Sequence, residues 1–314
     1  MDLPAVRLSV IIVNWNVRDL LDRCLASVFA AELEPGNVEI IVVDSASQDN
    51  SVGMIRDKYP EVRLLAQSEN IGFTRGNNIG LAQARGDFLL LLNPDTEVRP
   101  NALGLMLDFL MENPAVGIVG PHTLNSDGSH QSTRRRFPTL LTGVFESSWL
   151  AAAAPPRVER DYRLLDTDDG EIIMVDWAQG SALMLRRELY RDIGALDEGY
   201  VMYYEELDYC RRAKTAGWQV AYHGGAVITH HGGKSSEQVA AQTMIHFHTS
   251  KLRYFRKHHG LGHYRFLRAI VLLQFSWQLA LESAKGALGH KRELRAVRVR
   301  QYWRVLRSAL RVEG

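Results

Sequence analysis

The chain has 314 residues, of which 46% are hydrophobic and 23% charged, so it is long enough for one large globular domain or for two. Its two cysteines, Cys24 and Cys210, lie far apart, which excludes a disulfide framework and a cysteine zinc site and fits a reducing compartment. The first residues lack a basic segment followed by an apolar core, so we predict no signal peptide and expect a cytoplasmic protein.

Short apolar runs in the first part of the chain predict buried strands, and apolar residues at helical spacing predict helices between them. Strands that alternate with helices indicate a mostly parallel sheet with helices on both faces. The predicted strands are at 8–13, 38–43, 62–65, 88–92 and 117–119, and the predicted helices are at 19–31, 51–59, 77–84 and 101–112.

This alternation becomes irregular after about residue 122. Residues 123–138 and 151–171 are polar or rich in small and turn-forming residues, and we predict long loops there. A regular pattern returns at 174–186, with a helix at 205–216, a strand at 219–222 and helical sequence from about 242 to the end.

The net charge of +1 conceals an acidic body and a basic tail. Residues 251–314 contain 15 Lys and Arg against 3 Asp and Glu, a net charge of +12, whereas residues 1–250 carry a net charge of −11. Basic tails usually bind nucleic acid or anionic lipid, so a nucleic-acid binder that uses this tail is one alternative function.

An uncharged run of 13 residues lies between Arg268 and Glu282 in the tail. A transmembrane helix needs about 20 apolar residues, so this run is too short to span a membrane. Because Arg265 and Lys285 flank it, it could lie in a membrane interface, which would make the protein peripheral on the inner face of the cell membrane. The alternative is a helix packed on the rest of the protein, with its basic residues in solvent.

Two carboxylates, Asp44 and Asp95, follow apolar predicted strands. Parallel strands end at the same edge of a sheet, where open α/β sheets bind ligands, so both side chains could share one crevice. Asp95 could bind a divalent cation, with His230 as the best candidate for a second ligand. Alternatively, residues 93–96 form an ordinary turn and His230 is a turn histidine.

Clusters of charged residues supply further candidates, for a general base and for phosphate binding. Glu205 and Glu206 begin a predicted helix after several tyrosines. Neighbouring like charges and aromatic rings raise a carboxyl pKa toward the range of a general base, although a helix N-terminus favours the anion, and ordinary helix charge is the alternative. Arg134, Arg135 and Arg136 could hold phosphates or could form a solvated run.

Seven short segments are informative when they are taken together and in order: residues 9–16, 42–51, 70–73, 92–95, 131–138, 203–208 and 230–235. The first four resemble the family 2 inverting glycosyltransferases of GT-A fold, and the last three resemble the bacterial rhamnosyltransferase branch of that family. The similarity covers about residues 7–236, and the combination is specific although each segment alone is not. The sequence after about residue 250 contains no motif that we recognise.

The resemblance implies a GT-A fold, which is α/β and Rossmann-like, with a mostly parallel central sheet flanked by helices. It implies a glycosyltransferase domain at 1–240, with a nucleotide-sugar half at about 1–122 and an acceptor half at about 123–240. A helical, basic, amphipathic C-terminal extension would follow at 241–314.

The resemblance also implies a donor site that holds a nucleotide sugar. Asp95 would bind a divalent cation, Mn²⁺ or Mg²⁺, and His230 would complete the metal shell. Asn93 stands where many relatives have the first Asp of the DxD-type motif, so the metal could be bound more weakly. The residues assigned to the donor are Val13, Trp15, Asp44, Asn70, Asn78 and Asn93, with Arg135 and Arg136 at the diphosphate.

Glu206 occupies the position of the catalytic base in this resemblance, where many relatives have Asp. It would take the proton of the acceptor hydroxyl, while Gly180, Ser181 and Glu205 would lie on the acceptor side. Attack from the face opposite the leaving group inverts the anomeric centre and needs no covalent enzyme nucleophile.

The function implied is transfer of a sugar, with L-rhamnose from dTDP-rhamnose as the best candidate, to a lipid-linked saccharide or a cell-surface polysaccharide. The expected partners are the donor, this acceptor and an anionic membrane surface, with no nucleic acid and with a possible homo-oligomer. The alternatives are a transferase of the same fold that uses a UDP-sugar and a non-catalytic nucleotide-sugar-binding protein.

Overall fold

The computed structural model describes residues 7–34, 36–146, 150–232 and 240–312. The end of the motif at 230–235 therefore lies outside the described residues. The chain divides into two compact units. The first comprises residues 1–137, 163–198 and 205–235, and the second comprises residues 138–162, 199–204 and 236–314. The domain division that the sequence suggested stays a prediction.

A single large sheet forms the centre of the first unit, and the predicted mixed α/β fold with a mostly parallel sheet is confirmed. In chain order its strands and those of a small second sheet are β1 (Leu8–Asn14), β2 (Val38–Asp44), β3 (Arg63–Ala66), β4 (Phe88–Leu92), β5 (Thr96–Val98), β6 (Val116–Leu124), β7 (His130–Gln131), β8 (Arg134–Arg135), β9 (Ile172–Val175), β10 (Trp177–Ala178), β11 (Ala182–Arg186) and β12 (Gln219–His230).

The spatial order of the main sheet is β3-β2-β1-β4-β11-β6-β12-β5. Strands β1 to β4 are parallel, whereas β11 runs antiparallel to both β4 and β6. Strand β7 pairs with β6 as a hairpin, β9 pairs with β12, and β8 pairs with β10 in the small sheet.

Helices cover this sheet because their apolar faces pack on strands that are buried along their whole length. Every residue of β1 and β4 is buried, as expected for mainly apolar strands at the centre of a sheet that is covered on both faces. In chain order, the helices of the two units together are α1 (Arg18–Phe29), α2 (Ser51–Lys58), α3 (Phe73–Gln83), α4 (Ala102–Glu112), α5 (Leu140–Phe145), α6 (Pro156–Arg163), α7 (Arg187–Ile193), α8 (Glu205–Thr215), α9 (Ala240–His259), α10 (Leu261–Ala287) and α11 (Arg292–Ser308). Those that cover the sheet belong to the first unit.

The structure differs from the predicted helices, strands and loops mainly in segments that are polar or short. Some of these segments pair with strands that are distant in the sequence. The predicted loop at 123–138 contains β7 and β8, and the predicted loop at 151–171 contains α6. Strand β12 extends to His230, eight residues beyond the predicted strand end, because β6 and β5 supply hydrogen-bonding partners along it. Helix α3 begins at Phe73, after Gly72 with a φ of 79°, and not at the predicted residue 77.

Helices α9, α10 and α11 dominate the second unit. Buried Arg295 of α11 donates two hydrogen bonds to the Glu282 carboxylate of α10, at 2.8 and 2.5 Å. This ion pair joins the two helices, and nearby Leu267, Val271 and Phe275 form the buried face of α10. Among the residues that the structure describes, no helix is both long and apolar enough to cross a bilayer.

Candidate active site

Asp44 lies at the carboxyl end of β2, directly opposite Asn14 of β1. The buried Asp44 carboxylate accepts hydrogen bonds from the Asn14 Nδ2 at 2.8 Å and from the Ser47 backbone N–H at 2.9 Å. Asn14 Oδ1 is buried and makes no hydrogen bond to a described residue. The carboxyl edge of the sheet therefore presents a fixed carboxylate and an unused amide acceptor, which could each meet a polar ligand.

Asp95 lies at the same edge, three residues beyond the end of β4. Strands β2 and β4 flank β1, so their carboxyl ends are about 10 Å apart. The Oδ1 atom of Asp95 lies 3.3 Å from the Nε2 atom of His230, the last residue of β12. The structure thus brings together the two residues that the sequence assigned to a metal.

Gln131 of β7 determines the tautomer of His230. The Nδ1–H group of His230 donates to the Oε1 atom of Gln131 at 2.8 Å, because an amide oxygen can only accept. In the neutral tautomer that this bond selects, the lone pair lies on Nε2, and this is the nitrogen that faces Asp95. Two unprotonated atoms at this separation can bind one divalent cation.

Asn93 lies beside Asp95 and His230. Its Nδ2 atom is 3.4 Å from the Nε2 atom of His230, and its Oδ1 atom is buried without a hydrogen bond to any described residue. An orphaned amide oxygen next to a carboxylate and a neutral imidazole fits the oxygen-rich coordination of Mn²⁺ or Mg²⁺. The donor set of Asn93, Asp95 and His230 is therefore chemically suited to a divalent cation.

Glu206, the predicted base, is the second residue of the α8 helix and lies against Gly180. A Cβ atom at Gly180 would be 3.3 Å from the Cβ and Cγ atoms of Glu206, so the glycine allows the carboxylate to approach the backbone. The neighbouring Ser181 carbonyl accepts the Asn93 backbone N–H at 2.9 Å, which ties this segment to the strand end that carries Asp95. Glu206 is thereby held in the same part of the first unit as the metal candidates.

The electrostatic surroundings of Glu206 suit a base. Burial raises the pKa of its carboxyl group, while the backbone N–H groups of Gly180 and Leu207 and the Arg135 guanidinium oppose this rise. Its Oε2 atom is buried and makes no hydrogen bond to a described residue. A carboxylate with a raised pKa and one unused oxygen can accept a proton from a substrate hydroxyl.

Glu205 is more buried than Glu206, since only 5% of the surface of this residue is exposed. Burial raises the pKa of Glu205 well above its usual value, and the charge of Glu206 raises it further. The pKa values of both carboxyl groups are therefore raised, and the rise is larger for Glu205.

We expect the Glu205→Gln variant to be more stable than the wild type at about pH 7.5, with the difference vanishing near the unfolded-state pKa of about 4.3. Because the pKa of Glu205 is higher in the folded than in the unfolded chain, stability falls as pH rises between the two values, by up to about 1.4 kcal/mol per unit. Thermal melts over this pH range measure the difference. The exposed Glu61→Gln is the control, and a pH-independent effect of Glu205→Gln would contradict the interpretation.

The three consecutive arginines have separate environments. Arg134 is buried and binds the Asp169 carboxylate at 2.7 Å, so it is committed to a contact within the protein. Arg135 is buried, donates to the Ser132 hydroxyl at 2.6 Å and lies over the Trp177 ring. Arg136 is exposed. The assignment of Arg135 and Arg136 to the diphosphate stays a prediction.

The remaining donor candidates lie along α3 and the strand edge. A Cβ atom at Gly76 of α3 would be 2.7 Å from Val13, so the helix packs directly on the end of β1. Trp15 follows that strand and is half-buried. Asn70 is exposed and its Oδ1 atom accepts the Gly72 N–H at 3.0 Å. Their contacts with a donor stay predictions.

Asn78 makes its contacts within the protein. Its Nδ2 atom donates to the Leu196 carbonyl and to Glu198, and its Oδ1 atom accepts the Leu196 N–H at 3.0 Å. Asn78 therefore anchors the chain at 196–198. Sequence reasoning assigned no role to Gln131 or to Asn14, although both lie inside the motif segments, since their roles depend on cross-strand partners.

Comparisons with known proteins agree with this geometry. The profile of the family described as "Glycosyl transferase family 2" matches residues 9–194. The N-acetylglucosaminyl-diphospho-decaprenol L-rhamnosyltransferase of Mycobacterium tuberculosis is 28% identical over 273 residues, which cover 81% of this chain and 85% of that protein. The low-salt glycan biosynthesis hexosyltransferase Agl10 of Haloferax volcanii is 26% identical, over 66% of this chain and 61% of its own length.

Among solved structures, the chain is similar to "GalNAc-T7 with UDP, GalNAc and Mn2+", with a TM-score of 0.56 at 16% identity. The similarity covers 72% of this chain and 43% of that one, so the chain spans less than half the length of this structural neighbour. At 16% identity, this match is evidence for the fold alone. The fold is the mixed α/β fold that the sequence predicted.

Proposed function

The chain belongs to glycosyl transferase family 2, and from this premise we propose that it is an inverting transferase that moves a sugar from a nucleoside-diphosphate donor to an acceptor hydroxyl. The observation that carries the proposal is the Glu206 carboxylate, held by Gly180 beside the strand end that bears Asp95. A base with a raised pKa next to a candidate cation site is the arrangement that glycosyl transfer requires.

Each step is assigned to residues of this chain. Glu206 accepts the proton of the acceptor hydroxyl, whose oxygen forms the new bond to the anomeric carbon as the bond to the diphosphate breaks. Asn93, Asp95 and His230 would hold a divalent cation, which when bound neutralises the charge of the departing diphosphate. Arg135 lies near enough to Glu206 for its charge to lower the carboxyl pKa, which favours the ionised form of the base before the transfer.

We assign L-rhamnose, from dTDP-rhamnose, as the sugar and a saccharide diphospho-polyprenol as the acceptor. The support is the mycobacterial relative, whose name specifies an L-rhamnosyltransferase and an N-acetylglucosaminyl-diphospho-decaprenol, and which matches over 81% of this chain. The motif segments at 131–138 and 203–208 point to the same branch.

A lipid-linked acceptor agrees with the surface of the second unit. Exposed apolar side chains follow one face of α10, with Leu273 65% and Trp277 58% exposed, and Phe266, Leu281 and Leu288 at helical spacing around them. Exposed basic residues accompany them in the same part of the chain, at Arg265, Lys291, Arg292, Arg300, Arg304, Arg307 and Arg311. An apolar stripe with neighbouring cations is the chemistry that binds an anionic membrane surface, and we propose that contact for this unit.

One assay tests donor, acceptor and membrane together. The full chain is incubated with Mn²⁺ or Mg²⁺, a nucleotide sugar, and N-acetylglucosaminyl-diphospho-polyprenol in vesicles, and the product is followed by mass spectrometry. We expect one deoxyhexose to be added from dTDP-rhamnose, with inverted anomeric configuration, and faster on anionic than on neutral vesicles. Absence of transfer from every donor tried would contradict the enzymatic proposal, and equal rates on both vesicles would contradict the membrane contact.

A further inference from the structure

A second group of metal-ligating side chains lies in the first unit, apart from Asp95 and His230. His122 of β6, His130 of β7 and Asp169 each present a ligand atom, and these atoms lie within 4.8 Å of one another. Both histidine rings meet edge to face, with centroids 5.0 Å apart. All three side chains are partly accessible, so an ion could enter from solvent.

The separation of two of these atoms suits a tetrahedral ion. The Nδ1 atom of His130 is 3.3 Å from the Oδ2 atom of Asp169, but it is buried and makes no hydrogen bond to a described residue. Two ligands bound at about 2.0–2.1 Å with tetrahedral angles are themselves about 3.3–3.4 Å apart. The Nδ1 and Oδ2 atoms are therefore as far apart as two ligands of one ion would be, and they do not form a hydrogen bond with each other.

Neighbouring groups orient the ligands in the way that metal sites require. The Nδ1–H group of His122 donates to the Asp169 carbonyl at 3.0 Å, which leaves the lone pair of its Nε2 atom unused. Arg134 binds Oδ1 of Asp169 at 2.7 Å and so leaves Oδ2 for an ion. The Tyr222 hydroxyl donates to the same Asp169 carbonyl at 2.8 Å and fixes that part of the chain.

We propose that His122, His130 and Asp169 form a zinc site, distinct from the candidate donor-cation site. Two imidazoles and one carboxylate are a ligand set that favours Zn²⁺ over Mg²⁺, and water would complete the tetrahedron. Successive residues of a strand point to opposite faces, so His130 can serve this site while the adjacent Gln131 binds His230. The ion would brace β7 and with it the hydrogen bond that orients His230.

The test is zinc binding by the full chain without an affinity tag, after removal of metal by a chelator. Isothermal titration is expected to give one Zn²⁺ per chain at this site. His130→Gln and Asp169→Asn are each expected to weaken binding by at least about 100-fold, since even substitutions around a metal ligand cost 10–100-fold. His246→Gln, in the second unit, is the matched control and should leave the affinity unchanged.

Two further measurements separate the alternatives. Co²⁺ bound to the wild-type chain should give the intense visible absorption of a tetrahedral ion, which needs no variant. The zinc affinity of this site should persist in a His230→Gln background, which distinguishes it from the donor-cation site whether or not the chain transfers sugar. Failure to bind zinc, or unchanged binding by folded His130→Gln and Asp169→Asn variants, would overturn the proposal.

Discussion

We expect the Glu206→Gln variant to lose sugar transfer by about 10²–10⁴-fold in kcat, because an amide cannot take the proton of the acceptor hydroxyl. The amide has nearly the shape of the carboxylate, so the contact with Gly180 and the start of α8 should be kept. Donor affinity should therefore change little. Steady-state kinetics with the donor and acceptor varied in turn separate the loss in kcat from any change in KM.

The pH dependence of the transfer rate is a second test of the role of Glu206. Transfer requires ionised Glu206, so the wild-type rate should fall with decreasing pH through a pKa above that of an ordinary glutamate, as burial raises it. The residual activity of Glu206→Gln should lack this acidic limb.

The matched control is Glu205→Gln, the same chemical change one residue earlier. Since burial and the charge of Glu206 both raise the pKa of Glu205 and so favour its neutral form, which an amide resembles, we expect its kcat to stay within about tenfold of the wild type. A Glu206→Gln variant as active as the wild type, or two variants equally inactive, would contradict the assignment of the base.

The parallel strands at the centre of the sheet could be predicted from the sequence, because each is recognisable from its own apolar residues. Strand β4 is an unbroken apolar run, and β1 and β2 each contain at least four consecutive apolar residues. A strand that follows a helix returns parallel to the previous strand, so Asp44 and Asp95 are expected at one edge of the sheet. The motif at 92–95 was then sufficient to place the candidate metal residue next to the sheet.

What could not be predicted depends on partners distant in sequence. Gly180 meets Glu206 only because β11 inserts antiparallel between β4 and β6, an order that no local pattern encodes. Gln131 reaches His230 because β6 and β7 form a hairpin, with Thr123 opposite Gln131. The Asp127-Gly128 pair at its turn was the one local signal for this hairpin, within a stretch otherwise too polar to suggest a strand.

Asp95→Asn is the second variant with a large expected effect. The amide keeps the size of the side chain but loses the negative charge, so His230 and Asn93 would be left as neutral ligands, which bind Mn²⁺ or Mg²⁺ weakly. We expect calorimetry to show a loss of metal-dependent affinity for the nucleoside-diphosphate donor, and kcat/KM to fall by about 10²–10³-fold.

Glu97→Gln is the appropriate control for this variant, since it makes the same change two residues away on β5. The Glu97 carboxylate binds His231 at 2.7 Å and Arg23 at 3.4 Å, and among the described residues its partners do not include Asn93 or His230. Its donor affinity should therefore keep its dependence on Mn²⁺. If Asp95→Asn bound the donor as tightly as Glu97→Gln in Mn²⁺, and chelator weakened both variants equally, the assignment of the cation to Asp95 would be wrong.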